Sequence, residues 1–254
     1  MFSLPLVRAE ANCASADAPL TGDNCCRRRN LLVRGNLKLG PDLLAFSLLA
    51  GLPSTGGTCP GASDACLADC YARGGNFCWP AVRSQHEANL AASRRPDFVR
   101  RMVAELNRRF ARVLRWHVAG DVYSVGYARR LLDIVRATPD VTHYLYSRSW
   151  RVRRIRPALL LLAAEPNVRC WLSCDRSTGL PRFPLPPGVR CCWMMTDPEE
   201  ERTHAAEIAA CSLVFRTRRC RRSRRVTIGD TLVCPVENGA GRRTNCGSCG
   251  ICWR

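Results

Sequence analysis

The chain has 254 residues, 46% of them hydrophobic, and a formal net charge of +18 from 39 basic and 21 acidic side chains. This is enough chain for a real core, whereas no apolar run reaches the roughly 18 residues of a membrane-spanning helix, and the opening MFSLPLVRAE lacks the pattern of a signal peptide. Its 17 cysteines, odd in number and clustered, argue against a disulfide scaffold and for metal, in a chain read as cytoplasmic.

Residues 1–32 show weak periodicity and are expected to form a loosely ordered tail. Leu43 to Leu52 is an apolar run suited to a buried strand, and Pro53, Gly56, Gly57, Pro60 and Gly61 then force a loop. Residues 81–111 carry the longest helical pattern, with Leu90, Phe98, Met102, Leu106 and Phe110 at near-helical spacing. Pro96 should divide it in two, with Asp97 favouring the second start. Strands are expected over Arg112–Val118, Thr142–Tyr146, Val168–Leu172, Arg190–Met195 and Leu213–Arg216. Helices are expected over Ser124–Val135, Ile155–Ala164 and Pro198–Ile208, and Thr178–Gly188, too rich in proline and glycine for a helix, is expected to be a surface loop or lid. Strand then helix, repeated, implies an α/β fold with a parallel sheet. The short, partly polar strands suit a partial or irregular (β/α) barrel over residues 33–216, followed by a cysteine-rich extension over 217–254 packed on it.

Two cysteine groups carry the sharpest chemical signal. Cys59, Cys66 and Cys70 lie within the loop 59–78, spaced Cys-x6-Cys-x3-Cys. Soft thiolates select iron–sulfur centres or zinc over hard cations. Three ligands to a 4Fe-4S cluster leave one iron open, whereas Cys78 as a fourth would close the site. Cys234 and the run Cys246-x2-Cys249-x2-Cys252 form the second group. This spacing fits close corners of a cluster, with four-thiolate zinc as the competitor.

Polar residues at strand ends suggest a pocket, because parallel sheets collect their chemistry there. His117 and Asp121 follow one strand: His117 reads as a proton shuttle or carboxylate ligand and Asp121 as its orienting acid or a ligand to a ribose hydroxyl or amine, against a packed core histidine and an acid that satisfies turn backbone groups. Arg148, after the next, suits a carboxylate or phosphate clamp; Asp175 follows the strand after that. Asn36 and Lys38, the single lysine, precede the first strand and are candidate cofactor contacts. Arginine accounts for nearly all the positive charge, densest at Arg27–Arg29 and Arg216–Arg225, so a nucleic-acid partner is the alternative to a basic solvated surface.

Several of these segments occur in one order: Cys59-Pro60-Gly61 to Cys70-Tyr71-Ala72, then Arg115-Trp116-His117-x2-Gly120-Asp121. Ser147-Arg148-Ser149-Trp150 and the closing cysteines with Trp253 complete the series. Together they resemble the phage gene product 88-like domain family of phages and mobile elements, over roughly residues 33–254. That family looks distantly similar to radical S-adenosylmethionine enzymes. The likeness implies Cys59, Cys66 and Cys70 as cluster ligands, with S-adenosylmethionine at the open iron. The usual spacing in those enzymes is Cys-x3-Cys-x2-Cys, from which this chain departs. The expected protein is an iron–sulfur enzyme with an unknown substrate and an electron donor as partner. A zinc- or cluster-stabilised nucleic-acid-binding module is the alternative.

Overall fold

The computed structural model describes residues 30–222, 225–237 and 244–254. Cys13, Cys25, Cys26, Arg27–Arg29, Arg242 and Arg243 lie outside the described residues, as does nearly all of the expected N-terminal tail. In chain order the first elements are β1 (Val33–Arg34), β2 (Leu44–Phe46), α1 (Asp64–Ala68), α2 (Pro80–Arg94), α3 (Phe98–Arg108), β3 (Val113–Trp116) and α4 (Val125–Arg136). Then come β4 (Thr142–Ser147), α5 (Arg156–Ala163), β5 (Val168–Cys174), β6 (Arg190–Met195), α6 (Glu200–Thr203), α7 (Ala205–Ala209) and β7 (Leu213–Arg216). The short elements β8 (Thr227–Ile228), β9 (Thr231–Leu232) and α8 (Cys246–Cys249) close the series.

The punctuation residues act as their chemistry requires. Pro96 separates α2 from α3, with Asp97 at the N-cap of the second. Ser124 caps α4 by accepting a hydrogen bond from the Tyr127 amide at 3.1 Å, and Pro157 sits in the first turn of α5, where a missing donor costs nothing. Two expectations need correction. The apolar run from Leu43 forms a ladder only over Leu44–Phe46; beyond it the chain bends away and ties Leu48 N–H to Ala119 O at 2.9 Å. The single helix expected over Pro198–Ile208 is two, broken at His204. Glu200 turns inward there to accept from the Trp193 indole, the Thr196 amide and hydroxyl, and the Asp197 amide, which fixes the first turn. His204 meanwhile packs on the Trp193 ring at 5.4 Å.

The seven main strands lie side by side in sequence order. β1 pairs antiparallel with β2, and every pair from β2–β3 to β6–β7 is parallel. Among the described residues no ladder joins β7 back to β2, so the sheet is open rather than a closed barrel. Sequential order with right-handed crossovers delivers the helices to one face. Alternate residues such as Phe46, Leu114, Trp116, Leu145, Leu172 and Trp193 meet them in the main core. The other face carries Ala45, Val113, Tyr144, Trp171, Cys192 and Leu213, and it is covered by the chain's own end, including Cys234, Ile251, Cys252 and Trp253. Hydrogen bonds fix that cover: the Trp171 indole donates to Cys252 O at 2.9 Å, and the Cys246 amide to Lys38 O at 2.9 Å.

A buried histidine stitches β4 to β3. The Trp116 indole, which can only donate, reaches His143 Nδ1 at 3.1 Å, so the ring accepts there and its proton sits on Nε2, facing Thr138 Oγ1 at 2.9 Å. Burial holds the pKa of His143 down at about 4. The unfolded chain therefore binds a proton through the window from about 6.5 to 4 that the fold refuses, and stability falls as pH drops through it. We expect a thermal midpoint that is flat between about pH 7 and 8 and declines below 6.5. A His143→Gln variant should lose part of that decline, worth about 3 kcal/mol at full protonation. An unchanged slope in the variant, followed by circular dichroism from pH 7 to 4, would remove His143 from the account.

Candidate functional site

The loop that follows β2 crosses the C-terminal ends of the parallel strands and is fastened to them one after another. Thr58 Oγ1 donates to Leu49 O at 2.8 Å and accepts from the Asp121 amide, just past β3. Gly61 lies so close to Arg148 O that an added Cβ would stand 2.1 Å from it, which is why a glycine is needed there. Arg151 donates to the carbonyls of Gly61 and Ala62 at 2.9 and 3.1 Å. Ser63 caps α1 by accepting from the Cys66 amide, and its hydroxyl donates to Asp175 Oδ2 at 2.6 Å, at the end of β5.

Three of the four proposed pocket residues form the anchor of this loop. Asp121 accepts from Ser147 Oγ at 2.6 Å and from the amides of Val122 and Arg148 at 2.7 and 2.8 Å. Burial pushes its carboxyl pKa up, against the pull of those donors. Arg148 pairs with Asp175 at 3.0 Å, donates to Ser173 O at 3.1 Å, and meets the Cys66 thiol. All three are buried. His117 is not with them. It takes a positive φ of 57° as the chain leaves β3, and its Nε2 meets Tyr127 Oη of α4 at 2.9 Å. Burial lowers its pKa to about 3, so the ring is neutral at physiological pH.

The cysteines of the first group are half-buried on this loop, and Cys78 is exposed. Burial raises the pKa of Cys59 to about 12, with Asp121, Cys66 and Cys70 acting on it as neighbours, and it also raises that of Cys70. Cys78 is not among those neighbours; its thiol faces Arg73 O at 3.5 Å. The terminal group gathers on the opposite sheet face. A parallel bridge from Val214 to Val233 carries the chain alongside β7 and sets Cys234 N–H on Val214 O at 2.9 Å. The turn α8 has reciprocal capping between Asn245 and Ser248, which presents Cys246 and Cys249. Burial pushes Cys234 up to about 12 and also raises Cys246 and Cys252. Thiols held protonated in this way must release protons on meeting a metal. Among the described residues, no group of three or more His, Cys, Asp or Glu side chains is placed to hold a metal ion.

Asn36 and Lys38 belong to the terminal group rather than the loop. Asn36 Oδ1 accepts from the amides of Lys38 and Leu39 and shapes its own turn. Lys38 Nζ pairs with Glu237 at 2.7 Å; burial works to lower its pKa, and Glu237 outweighs that and holds it above the ordinary value. Sequence reasoning missed Ser63, Thr58, Glu237, Tyr71 and Arg115. Tyr71 follows Cys70, donates to Val118 O at 2.5 Å and carries Lys38 Nζ 5.9 Å above its ring. Arg115 was legible in principle, since period-two alternation in β3 sets it on the face opposite Trp116.

A family model described as Gene product 88 matches residues 24–254. The chain belongs to the gene product 88 family. This bears out the resemblance read from the cysteine loop, the Arg115–Asp121 segment, Ser147–Trp150 and the closing cysteines. The likeness to radical S-adenosylmethionine enzymes finds no support in the comparisons: no curated protein and no solved structure matches the chain. No helix among the described residues is long and apolar enough to cross a membrane.

The anchor makes a direct prediction. Asp121→Ala strands the Ser147 hydroxyl and two amides, and should cost about 2–4 kcal/mol in urea unfolding. It should also free the loop, so that iodoacetamide labels Cys59 and Cys66 faster relative to the already exposed Cys78. Unchanged labelling, read by mass spectrometry, would show that Asp121 does not hold the loop.

Proposed function

We propose that this gene product 88 protein is a thiolate-ligated metalloprotein with an iron–sulfur centre in each cysteine group. In this reading the first centre is held by Cys59, Cys66 and Cys70, and it keeps one position open for S-adenosylmethionine or a bound substrate. The second, held by Cys234, Cys246, Cys249 and Cys252, is closed. Residues 33–216 act as an open segment of a (β/α) barrel, and residues 217–254 as the extension that folds onto its inner face. Asp121, Arg148 and Asp175 serve as positioning residues for the loop, and His117 as part of the β3–α4 packing.

The observation that carries this reading is the fastening of the Cys59–Cys70 loop to consecutive strand ends. The buried Asp175 and Arg148 side chains meet Ser63 and Cys66 of the loop, and the Asp121 amide meets Thr58, at the edge where parallel sheets do chemistry. The donor types also suit the group, although the described side chains are not gathered into a ready site. Soft sulfur ligands, an Arg148 guanidinium against Cys66, and backbone held tight by Gly61 suit a compact thiolate centre more than a hard cation. Such a centre, when bound, would supply an electron or a Lewis-acidic iron to whatever occupies the open position. The chain's own residues would hold the loop, exclude water beneath it and keep the cation of Arg148 beside the thiolates.

A second reading is favoured by the charge. Arg94, Arg100, Arg112, Arg129, Arg153 and Arg154 are exposed, on a chain of net charge +18. A surface of that kind binds phosphate backbones without reading sequence. In that case the metal, zinc or cluster, would be structural.

Anaerobic purification with iron, sulfide and zinc analysis decides between them. The enzyme reading expects about eight irons per chain for two four-iron centres. About half should be lost in a Cys59→Ser, Cys66→Ser, Cys70→Ser variant, and S-adenosylmethionine should be cleaved on reduction. Stoichiometric zinc with salt-sensitive DNA binding would establish the second reading, and protein free of both metals would end the metalloprotein proposal.

A further inference from the structure

The face of the sheet that the terminal cysteines cover holds three buried polar atoms without a well-formed hydrogen bond, Arg115 Nε, Tyr144 Oη and Tyr146 Oη. Tyr144 lies against Arg115, and Tyr146 against the Cys252 thiol. They form one cluster. The Arg115 guanidinium carbon lies 5.9 Å from the Tyr144 ring centre and 5.6 Å from that of Tyr146, and the same packing group contains Cys246 and Cys252. A donor left unbonded in a dry place is destabilising, and a cation held away from a counter-charge more so. The strongest influences on the Arg115 charge come from Tyr144, Tyr71, Tyr146 and Cys246. The nearby Lys38 is already matched by Glu237 at 2.7 Å.

The chemistry of the three groups is one-sided. The arginine Nε–H only donates and stays charged, and both tyrosines have a proton to give. A site so furnished calls for a multiply charged acceptor that lies against Cys246 and Cys252. Four thiolates around zinc, or around a four-iron core, leave a net charge of about 2− spread over sulfur. We propose that Arg115, flanked by Tyr144 and Tyr146, is the charge-balancing hydrogen-bond donor to the sulfurs of the terminal thiolate centre. This inference rests on the metalloprotein reading above and assigns a role that the cysteines alone do not disclose. Arg115 is then a positioning and tuning residue: it sets how tightly the centre is held and, if it is iron, how easily it accepts an electron.

The test uses the full chain in a Cys59→Ser, Cys66→Ser, Cys70→Ser background, so that only the terminal centre reports. With Arg115→Met we expect metal still to load, but to be lost to a chelator about tenfold to a hundredfold faster. If the metal is iron, the midpoint potential should also become more negative, because a cation and a donor to sulfur are gone. Arg115→Lys should recover part of both effects. Should Arg115→Met fail to fold, Tyr146→Phe, which deletes one hydroxyl only, should shift both readouts in the same direction by less. A loaded Arg115→Met or Tyr146→Phe protein with unchanged chelator release and unchanged potential overturns the inference and leaves the metalloprotein reading intact. Thermal stabilisation of the loaded parent by inorganic phosphate, abolished by Arg115→Met, would also overturn it by assigning the donors to a soluble anion. A terminal site that takes up neither iron nor zinc in the parent defeats the reading itself and the inference with it.

Discussion

Asp121 and the Arg148–Asp175 pair sit where a parallel sheet would offer a pocket, yet they are spent on holding a loop. The carboxylate of Asp121 binds the ends of β3 and β4 together, and Asp175 reaches across to Ser63 at the start of α1. Burying such groups is costly unless every lone pair and proton is matched. Asp175 takes one such partner from the loop, the Ser63 hydroxyl, and Arg148 another, the Cys66 thiol, whereas the Asp121 carboxylate is matched at the strand ends themselves. The cysteine loop and the sheet edge therefore depend on one another: without the loop, an acid and a guanidinium would lose partners in a dry place.

That dependence explains why the loop can be long and still be ordered. Residues 47–63 contain little regular structure, but their backbone groups are taken up by Leu49, Gly51, Leu52 and Ala119 carbonyls. Thiols presented from such a frame keep a defined relation to Arg148. Burial keeps Cys59 and Cys70 protonated in the absence of metal, which also makes them poor nucleophiles toward stray oxidants and electrophiles.

Much of this was legible in the chain. Pro96, Ser124 and Pro157 set helix boundaries by purely local chemistry, and the spans of β6 and β7 match their apolar patterns. The same local logic failed where a distant partner decided the outcome. Glu200 turned its carboxylate inward to Trp193 and Thr196, the helix stopped at His204, and the Leu48 amide bonded Ala119 O beyond the ladder. The strand-end positions of Asp121, Arg148 and Asp175 followed from topology, but their mutual hydrogen bonds did not, because residue spacing carries no information on which side chains face one another across a loop. Arg115 hid in plain view among 39 basic residues, since only the register of β3 against β4 sets it between two tyrosines.

The cover on the second sheet face has a consequence for how the protein is made. Trp171 waits for Cys252, 81 positions later, and Lys38 for Glu237, 199 positions later. Contacts of such separation form late, because the chain between them must first be closed. A nascent chain that has emerged only as far as β7 would display Tyr144, Tyr146, Trp171 and Phe215 on a surface that only the terminal segment with the short α8 later covers. A chain at that stage exposes apolar surface of a kind that favours self-association, and early docking of the terminal segment would shorten the exposure.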